Sequence, residues 1–564
     1  MDIIEQAAKI VAEAIEYDYE SVRACTDFSQ KFGDISSTIA FEIAKKDKKQ
    51  PAVVASEIVK KISKNENFDK VEAQGPYINF YLSDQFYLSL IKKIIEKKGK
   101  IDKKNKKKIM VEYFDANTHK GVHIGHIRNI SLGESICRIL EATGNKVIRV
   151  NYQGDIGPHV AKCIWGFINI YNERVPKDVE KKGTWLGKVY AEASKKIAEN
   201  KELEKEVLDI NLKIYAKERH IYEIWKKTRQ WCLEDFDKFY EEFGVNFDEF
   251  FFESQTENIG KEIVLSLLDK GIVKKDEGAI IIDLKEDGLG VCVLLTKEGY
   301  PLYPTKDLGL AKLKFDKYGD LDQSIHVVGK EQEFYFKQLF KIFEKAGMKK
   351  AAQVSYHLIY ELVMLPEGKM SSREGTMVLY EDLRKKLLEK TIKEVEVRHP
   401  EWKIEEKELI AKKIALAAIK FSMLRRENNK VLLFNWEKAL SLEGDSGPYL
   451  QYAYVRTKGI TNKAEFKEDY PQGYKFNEDE KRLLKKLLQF EKTVENASRT
   501  LSPHILCDYL LDLASEFNKF YSTCRVLNAE KEEEKKVRLA IVSAVGFTLK
   551  EGLYLLGIET PNVM

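Results

Sequence analysis

Residues 108–152 restrict most tightly what this chain can become. "KIMVEYF" (108–114) reads as a strand, "HKGVHIGHIRN" (119–129) as a loop entering a helix, and "KVIRVNY" (146–152) as the next strand. The helix between them sets Ile127, Ile130, Ile136, Ile139 and Leu140 on a broadly apolar face, and Gly144 stands where a helix ends. Strand, helix and strand at this spacing form a β-α-β unit, which predicts a parallel sheet.

The loop inside that unit holds three of the chain's 9 histidines. His123 and His126 lie three apart at the helix start, so their side chains emerge on nearly the same side, beside backbone N–H groups that have no helical partner. A helix N-terminus that follows a parallel strand is suited to polyphosphate, because free donors and the positive end of the helix dipole coincide there. Gly125 removes a side chain that would keep a nucleotide away, and Lys120 adds a charge. Alone, the same histidines are equally well read as helix caps. A second stretch, "EGKMSSREG" (367–375), follows the last predicted strand and is a Gly, Ser and Lys loop able to reach the same phosphates from the opposite side.

At 564 residues the chain exceeds what one hydrophobic core serves, which predicts three or four folding units. Residues 1–105 read as a small α+β unit with a hairpin in "KVEAQGPYINFYLS", closed by a lysine-rich run that fits a solvated linker, or one touching phosphates. Residues 106–384 hold the parallel sheet, with a charged helical insertion at about 165–280. "AIIIDL", "VCVLL", "SIHVVG" and "VSYHLIY" then supply the sheet's second half. Residues 385–564 are helical almost throughout, as in "YLLDLASEFNKFYSTCRVL", where Leu510, Leu511, Ala514, Phe517, Phe520 and Tyr521 recur at helical spacing.

Lys+Arg number 94 against 90 Asp+Glu, so overall charge does not announce a nucleic-acid binder, and any such surface must be local. The seven cysteines lie far apart with no CxxC pair, the pattern of reduced thiols without a structural zinc. The opening residues form an acidic amphipathic helix rather than a signal peptide, and "AIVSAVGFTL" is roughly half a bilayer span. These features predict a cytoplasmic protein with no membrane partner.

"ANTHKGVHIGHIRN", "VNYQGDIG", "YPTKDLG", "VVGKEQ", "GKMSSREG", "SLEGDSGPYLQYAYVR", "LASEFNKFY" and "LGIETPNVM" occur in that order along the chain. In this it resembles the class I aminoacyl-tRNA synthetases, and among them closely the arginyl-tRNA synthetases. The resemblance implies an α/β fold: a class I Rossmann-like parallel sheet with a helical insertion, a small α+β N-terminal domain that touches tRNA, and an all-α C-terminal anticodon-binding bundle. It implies ligation of L-arginine to tRNA(Arg) through arginyl-adenylate, with ATP and Mg2+, no protein-bound metal, and a monomer.

By the same resemblance His123, His126, Lys120 and Lys369 carry catalysis. His123, Gly125, His126, Lys369, Met370, Ser371, Ser372 and Arg373 hold ATP. A guanidinium has five donors in a plane and never deprotonates, so its pocket must offer acceptors. Tyr303 and Asp307, one helical turn apart, are implied to grip it, with Glu112 as a candidate second carboxylate or, alternatively, a salt-bridge partner. Asn117, Gln332, Asp115 and His126 are implied to lie around the rest of the amino acid. Tyr449, Gln451, Tyr452 and Arg456 are implied to contact tRNA, although Tyr452 and Tyr454 singly also fit a packed core.

Two departures matter. Asp115 stands where the family often has Ser or Ala, and an added carboxylate there either grips the ammonium or repels the carboxylate of the substrate. Ser372 stands where many relatives carry a second lysine in the KMSKS-type loop, which leaves Lys120, or else Arg373, to supply the missing cation. A small-molecule adenylyltransferase or an RNA-binding paralogue without catalysis are the competing readings.

Overall fold

The computed structural model describes residues 2–29, 31–364, 379–464, 471 and 473–564. The β-α-β unit forms from β1 (Lys108–Glu112), α1 (Ile124–Ala142) and β2 (Lys146–Gln153), and β1 and β2 pair in parallel. Gly144, at φ +105°, follows the helix end as expected. Helix α1 is buried on more than its apolar face, for Arg128, Asn129, Ser131 and Glu134 are buried as well. It presses on the sheet so closely that a Cβ at Gly133 would lie 2.2 Å from the Tyr113 ring.

After β2 come α2 (Pro158–Asn169), α3 (Lys182–Glu199), α4 (Leu203–Tyr215) and α5 (Arg219–Phe243), which share a core built on Trp165, Trp185, Val189, Ile214 and Trp225. The chain continues through β3 (Glu249–Phe252), α6 (Glu253–Asp269), β4 (Lys274–Asp276), β5 (Ala279–Asp283), β6 (Val291–Leu295), α7 (Tyr303–Lys317), β7 (Gln323–Gly329), α8 (Glu333–Lys345) and β8 (Ser355–Tyr360). The main sheet runs β8-β7-β1-β2-β3, every pair parallel, with β1 at its centre.

Two sequence expectations need correction here. "AIIIDL" and "VCVLL" do not join the parallel sheet; as β5 and β6 they make a separate antiparallel sheet with β4. Their inward residues Ile280, Ile282 and Leu294 pack with Val264, Leu308 and Leu339 of the neighbouring helices. An apolar run marks a strand but not its partner. Conversely, the stretch read as an insertion contains β3, which hydrogen-bonds to β2 as the sheet's edge.

Helices α6 and α7 cross at backbone contact. A Cβ at Gly260 would sit 1.8 Å from the Thr305 carbonyl oxygen, and one at Gly309 would sit 2.1 Å from that of Thr256. Beside this crossing, buried Lys306 is held between Glu253 and Glu257 at 2.7 and 2.8 Å. The start of α7 is therefore rigidly mounted.

Beyond β8, β9 (Val363–Met364) pairs in parallel with β10 (Leu432–Leu433), and the long helices α9 (Tyr380–Arg398) and α10 (Ile404–Leu424) lie between them in sequence. By packing, the chain divides into two compact units: 101–452 with 492–511 and 552–564, and 1–100 with 453–491 and 512–551. The second contains the expected hairpin, Phe68–Gln74 with Tyr77–Leu82, in a four-stranded sheet. Within that unit the N-terminal stretch and helix Glu478–Leu488 are joined by paired carboxylates, Asp34 to Lys485 at 2.5 Å and Asp84 to Lys481 at 3.3 Å. Among the described residues no helix is long and apolar enough to cross a membrane.

Candidate active site

His123 is the N-cap of α1, and its Nδ1 accepts the Gly125 N–H at 3.2 Å. The Nδ1 of His126 accepts the His123 N–H, also at 3.2 Å, and the two rings stack with centroids 3.7 Å apart. Capping and phosphate binding are thus compatible uses of one pair. With each Nδ1 accepting, the neutral ring's proton lies on Nε2, which remains a donor. Burial, reinforced by Lys120, pushes His123 down to about 4, and burial with His123 and Lys120 pushes His126 well below its ordinary range. Both rings are uncharged donors at neutral pH. Gly125 has a second reason to be glycine, since a Cβ there would approach the His123 ring at 3.0 Å.

The third histidine does other work. His119 is fully buried, bonded through its two ring nitrogens to Thr118 and Thr228 at 2.9 and 2.8 Å, and burial holds it down at about 3. It pins the loop to α5. Lys120 lies with its ammonium 5.3 Å from the centre of the Tyr190 ring; burial first, then Lys162, lowers its pKa.

Lys369, Met370, Ser371, Ser372 and Arg373 lie outside the described residues. The described residues on either side of their segment are both tied to α1 or its lead-in. Before it, buried Arg128 donates to the Leu362 carbonyl at 3.2 Å, and also to those of Glu427, Asn428 and Lys430. After it, Leu379 bridges to His123 and the Tyr380 N–H bonds the Val122 carbonyl at 2.8 Å.

At the carboxyl ends of the sheet strands, where ligands of open α/β sheets bind, a cleft of about 480 Å3 gathers Glu112, Asp115, Asn117, Tyr303, Asp307 and Gln332. Of the seven residues expected around the amino acid, His126 alone does not line it; its ring stands 5.7 Å from Phe114, the neighbour of Asp115. Tyr303 is 71% exposed at the first turn of α7, and Asp307 follows one turn later. The Asn117 side chain lies against Gly154, where a Cβ would meet its Oδ1 at 2.0 Å.

Asp307 accepts a hydrogen bond from the Tyr335 hydroxyl. Burial pushes its carboxyl up to about 7, helped by Glu112 and Glu253 and opposed by Tyr335 and Lys314. Asp115 is driven well above the usual carboxylate range by burial and by Glu112, while its Oδ1 accepts the Tyr152 N–H at 3.0 Å.

Glu112 lines the cleft in the salt-bridged form that the sequence left as its alternative. One oxygen takes the Lys314 ammonium and the other the His326 Nδ1 at 2.7 Å, so its charge is already paired within the protein. Burial would raise this carboxyl, but Lys314 and His326 outweigh it and hold it down at about 2. The salt-bridge alternative prevails. Sequence reasoning missed Lys314, His326, Tyr335, Tyr152 and Glu253, all of which line the cleft. Lys314 alone carried a signal, lying two helical turns after Asp307 on the same face of α7.

Of the residues expected to touch tRNA, all on helix Gly447–Thr461, Tyr452 is exposed and Tyr449 half-buried. Arg456 donates to Asn518 at 2.7 Å and faces the Tyr521 ring at 5.7 Å. Gln451 is a correction: it is fully buried, its amide donating to the Glu559 carbonyl at 2.7 Å, so it holds the C-terminal tail rather than a surface ligand.

The family description "tRNA synthetases class I (R), catalytic domain" matches residues 90–436, "Arginyl tRNA synthetase N terminal domain" matches 1–82, and "DALR anticodon binding domain" matches 450–564. The chain is 36% identical over 510 residues to an arginine--tRNA ligase of Bdellovibrio bacteriovorus, covering 87% of this chain and 86% of that one. It is 32% identical over 573 residues to that of Clostridium perfringens, with both covered completely. The solved Thermus thermophilus arginyl-tRNA synthetase superposes with a TM-score of 0.82 at 26% identity, covering 100% of both chains.

Proposed function

The chain belongs to the class I arginyl-tRNA synthetases, and from that membership we propose how its own residues share the work of an arginine--tRNA ligase. It joins L-arginine to tRNA(Arg) in two steps and uses ATP. In the first, an oxygen of the arginine carboxylate bonds to the α-phosphorus of ATP while the bond to the bridging oxygen breaks, giving arginyl-adenylate and pyrophosphate. In the second, a terminal ribose hydroxyl of tRNA attacks the activated carbonyl, loses its proton, and AMP departs.

The observation that carries this reading is a stacked, neutral histidine pair at the helix N-terminus that follows β1, together with a cleft at the carboxyl end of the same strand whose Asp115 and Asp307 have no counterion among the described residues. His123 and His126 offer Nε2–H donors to the phosphates beside the helix dipole. Phosphoryl chemistry of this kind needs positioning and aimed donors more than covalent help from the protein. Gly125 admits the nucleotide, Lys120 supplies the second cation, and Lys369, Met370, Ser371, Ser372 and Arg373 complete the nucleotide contacts. Mg2+ accompanies the triphosphate and offsets its charge; among the described residues no group of three His, Cys, Asp or Glu is placed to hold an ion.

Asp307 and Tyr303 take the guanidinium, with Asn117, Gln332, Asp115 and His126 around the remainder of arginine. Tyr449, Tyr452 and Arg456 meet tRNA. Residues 1–105 serve as an additional tRNA-binding segment, 106–384 as the catalytic segment and 385–564 as the anticodon-reading segment, in a cytoplasmic monomer. Release of AMP that requires both arginine and tRNA(Arg) tests the assignment; turnover that ignores either one overturns it.

A further inference from the structure

The enclosed carboxylates of the cleft outnumber its cations. Glu112 is ion-paired with Lys314, and Glu253 shares Lys306 with Glu257, while Glu331 stands exposed. Asp115 and Asp307 remain, each walled in by protein and, among the described residues, without a lysine or arginine at ion-pair distance. Two enclosed carboxylates without counterions are costly unless cations arrive with the ligand. Arginine brings two, one at each end.

We propose that Asp115 is the anion that receives the α-ammonium of arginine, so that Asp115 and Asp307 divide the substrate's two cationic groups between them. This assignment rests on the reading of the cleft as the arginine site and adds the orientation of the amino acid within it.

Placement decides which carboxylate serves which end. Asp115 lies on the turn between β1 and α1, on the side of the nucleotide-binding histidines, and the Phe114 ring beside it packs near His126. The carboxylate that attacks phosphorus, and the ammonium on the adjacent carbon, must lie on that side. Asp307 is carried instead by α7, next to Tyr335 of α8. The turn itself is built to hold Asp115 still. Phe114 and Asp115 both have left-handed backbones, at φ +79° and +44°, a conformation that persists only where surrounding bonds impose it. They do so here: Asn129 of α1 accepts the Phe114 N–H at 2.5 Å and reaches the Val327 carbonyl at 2.7 Å, while the Tyr152 N–H fixes Asp115 Oδ1. Oδ2 has no hydrogen-bond partner among the described residues and is left to the cleft.

Asp115 could instead serve only to accept the Tyr152 N–H, and the substitution Asp115→Asn separates the two roles because it keeps an acceptor oxygen and removes the charge. We would measure inhibition or binding constants of the full chain, with ATP and tRNA present, for arginine, for agmatine, which lacks the carboxylate, and for 5-guanidinopentanoate, which lacks the amino group. Asp115→Asn should weaken arginine and agmatine by about tenfold or more, the scale of a lost charge-assisted hydrogen bond, and leave 5-guanidinopentanoate within about twofold. Undiminished binding of that third compound also shows that the variant is folded. Equal weakening of all three, or unchanged arginine affinity, overturns the proposal. Asp307→Asn reports on the underlying reading separately, since it should weaken all three compounds; if it weakens none, the cleft is not the guanidinium site.

Discussion

Acidification from pH 8 to pH 6 should strip the enzyme of arginine affinity before it touches the phosphate side of the reaction. Burial holds Asp307 up at about 7. A guanidinium stays charged throughout and favours the ionised carboxylate, so it depresses that pKa on binding and a proton leaves. The sign follows: affinity is fully present above pH 7 and is lost as pH falls through it. With half of Asp307 ionised at pH 7 and roughly a tenth at pH 6, loss of its charge alone should raise the arginine KM about tenfold between pH 8 and pH 6, equivalent to about 1.4 kcal/mol, and Asp115, raised by burial and by Glu112, adds to the loss in the same direction. His123, at about 4, and His126, lower than ordinary, do not acquire charge in this window. The measurement is kcat/KM for arginine in aminoacylation at saturating ATP and tRNA, which reports ionisations of the arginine-free enzyme. Tyr335→Phe removes the hydroxyl that holds Asp307 down and should move the midpoint upward. A profile flat from pH 8 to pH 6, or a midpoint below pH 5, would refute the reasoning.

Lys120→Ala should lower kcat by about a hundredfold to a thousandfold while changing the KM for ATP only a few-fold, because a donor aimed at developing charge acts in the transition state; unchanged turnover with weaker ATP binding sinks the assignment. Gly309→Ala drives a Cβ toward the Thr256 carbonyl and should cost about 1–3 kcal/mol in urea unfolding, with a rise in arginine KM as α7 shifts. Arg128→Leu strips four carbonyls of their buried donor. It should destabilise by about 3–5 kcal/mol in the same assay, and a loss below 1 kcal/mol would show that those carbonyls find water instead.

Local order along the chain was enough to identify the β-α-β unit, the helix-capping histidines and the YPTKDLG turn, because each depends on residues within a few positions of one another. It also named six of the residues that line the cleft, through the resemblance their motifs carry. Partnership at long range was not legible. "AIIIDL" and "VCVLL" are strands in any reading, yet their hydrogen bonds go to β4 and to each other rather than to the parallel sheet. "EFFF" is too short to stand out within a helical stretch, and only pairing with β2 makes it a sheet edge. Glu112 and Gln451 looked available for ligands until Lys314, His326 and the tail carbonyl occupied them.

By itself the sequence determined the chemistry on offer: phosphate-seeking donors at one helix start, acceptors one turn apart on another, and the family to which such motifs belong. Tertiary structure alone decided which charges are spent and which are left. Glu112, Asp115 and Asp307 are alike on paper, but pairing with Lys314 quiets the first while enclosure without a counterion leaves the other two seeking one. A carboxylate's behaviour is set by the charges and solvent within a few ångströms of it, and in this chain those neighbours come from positions more than two hundred residues away.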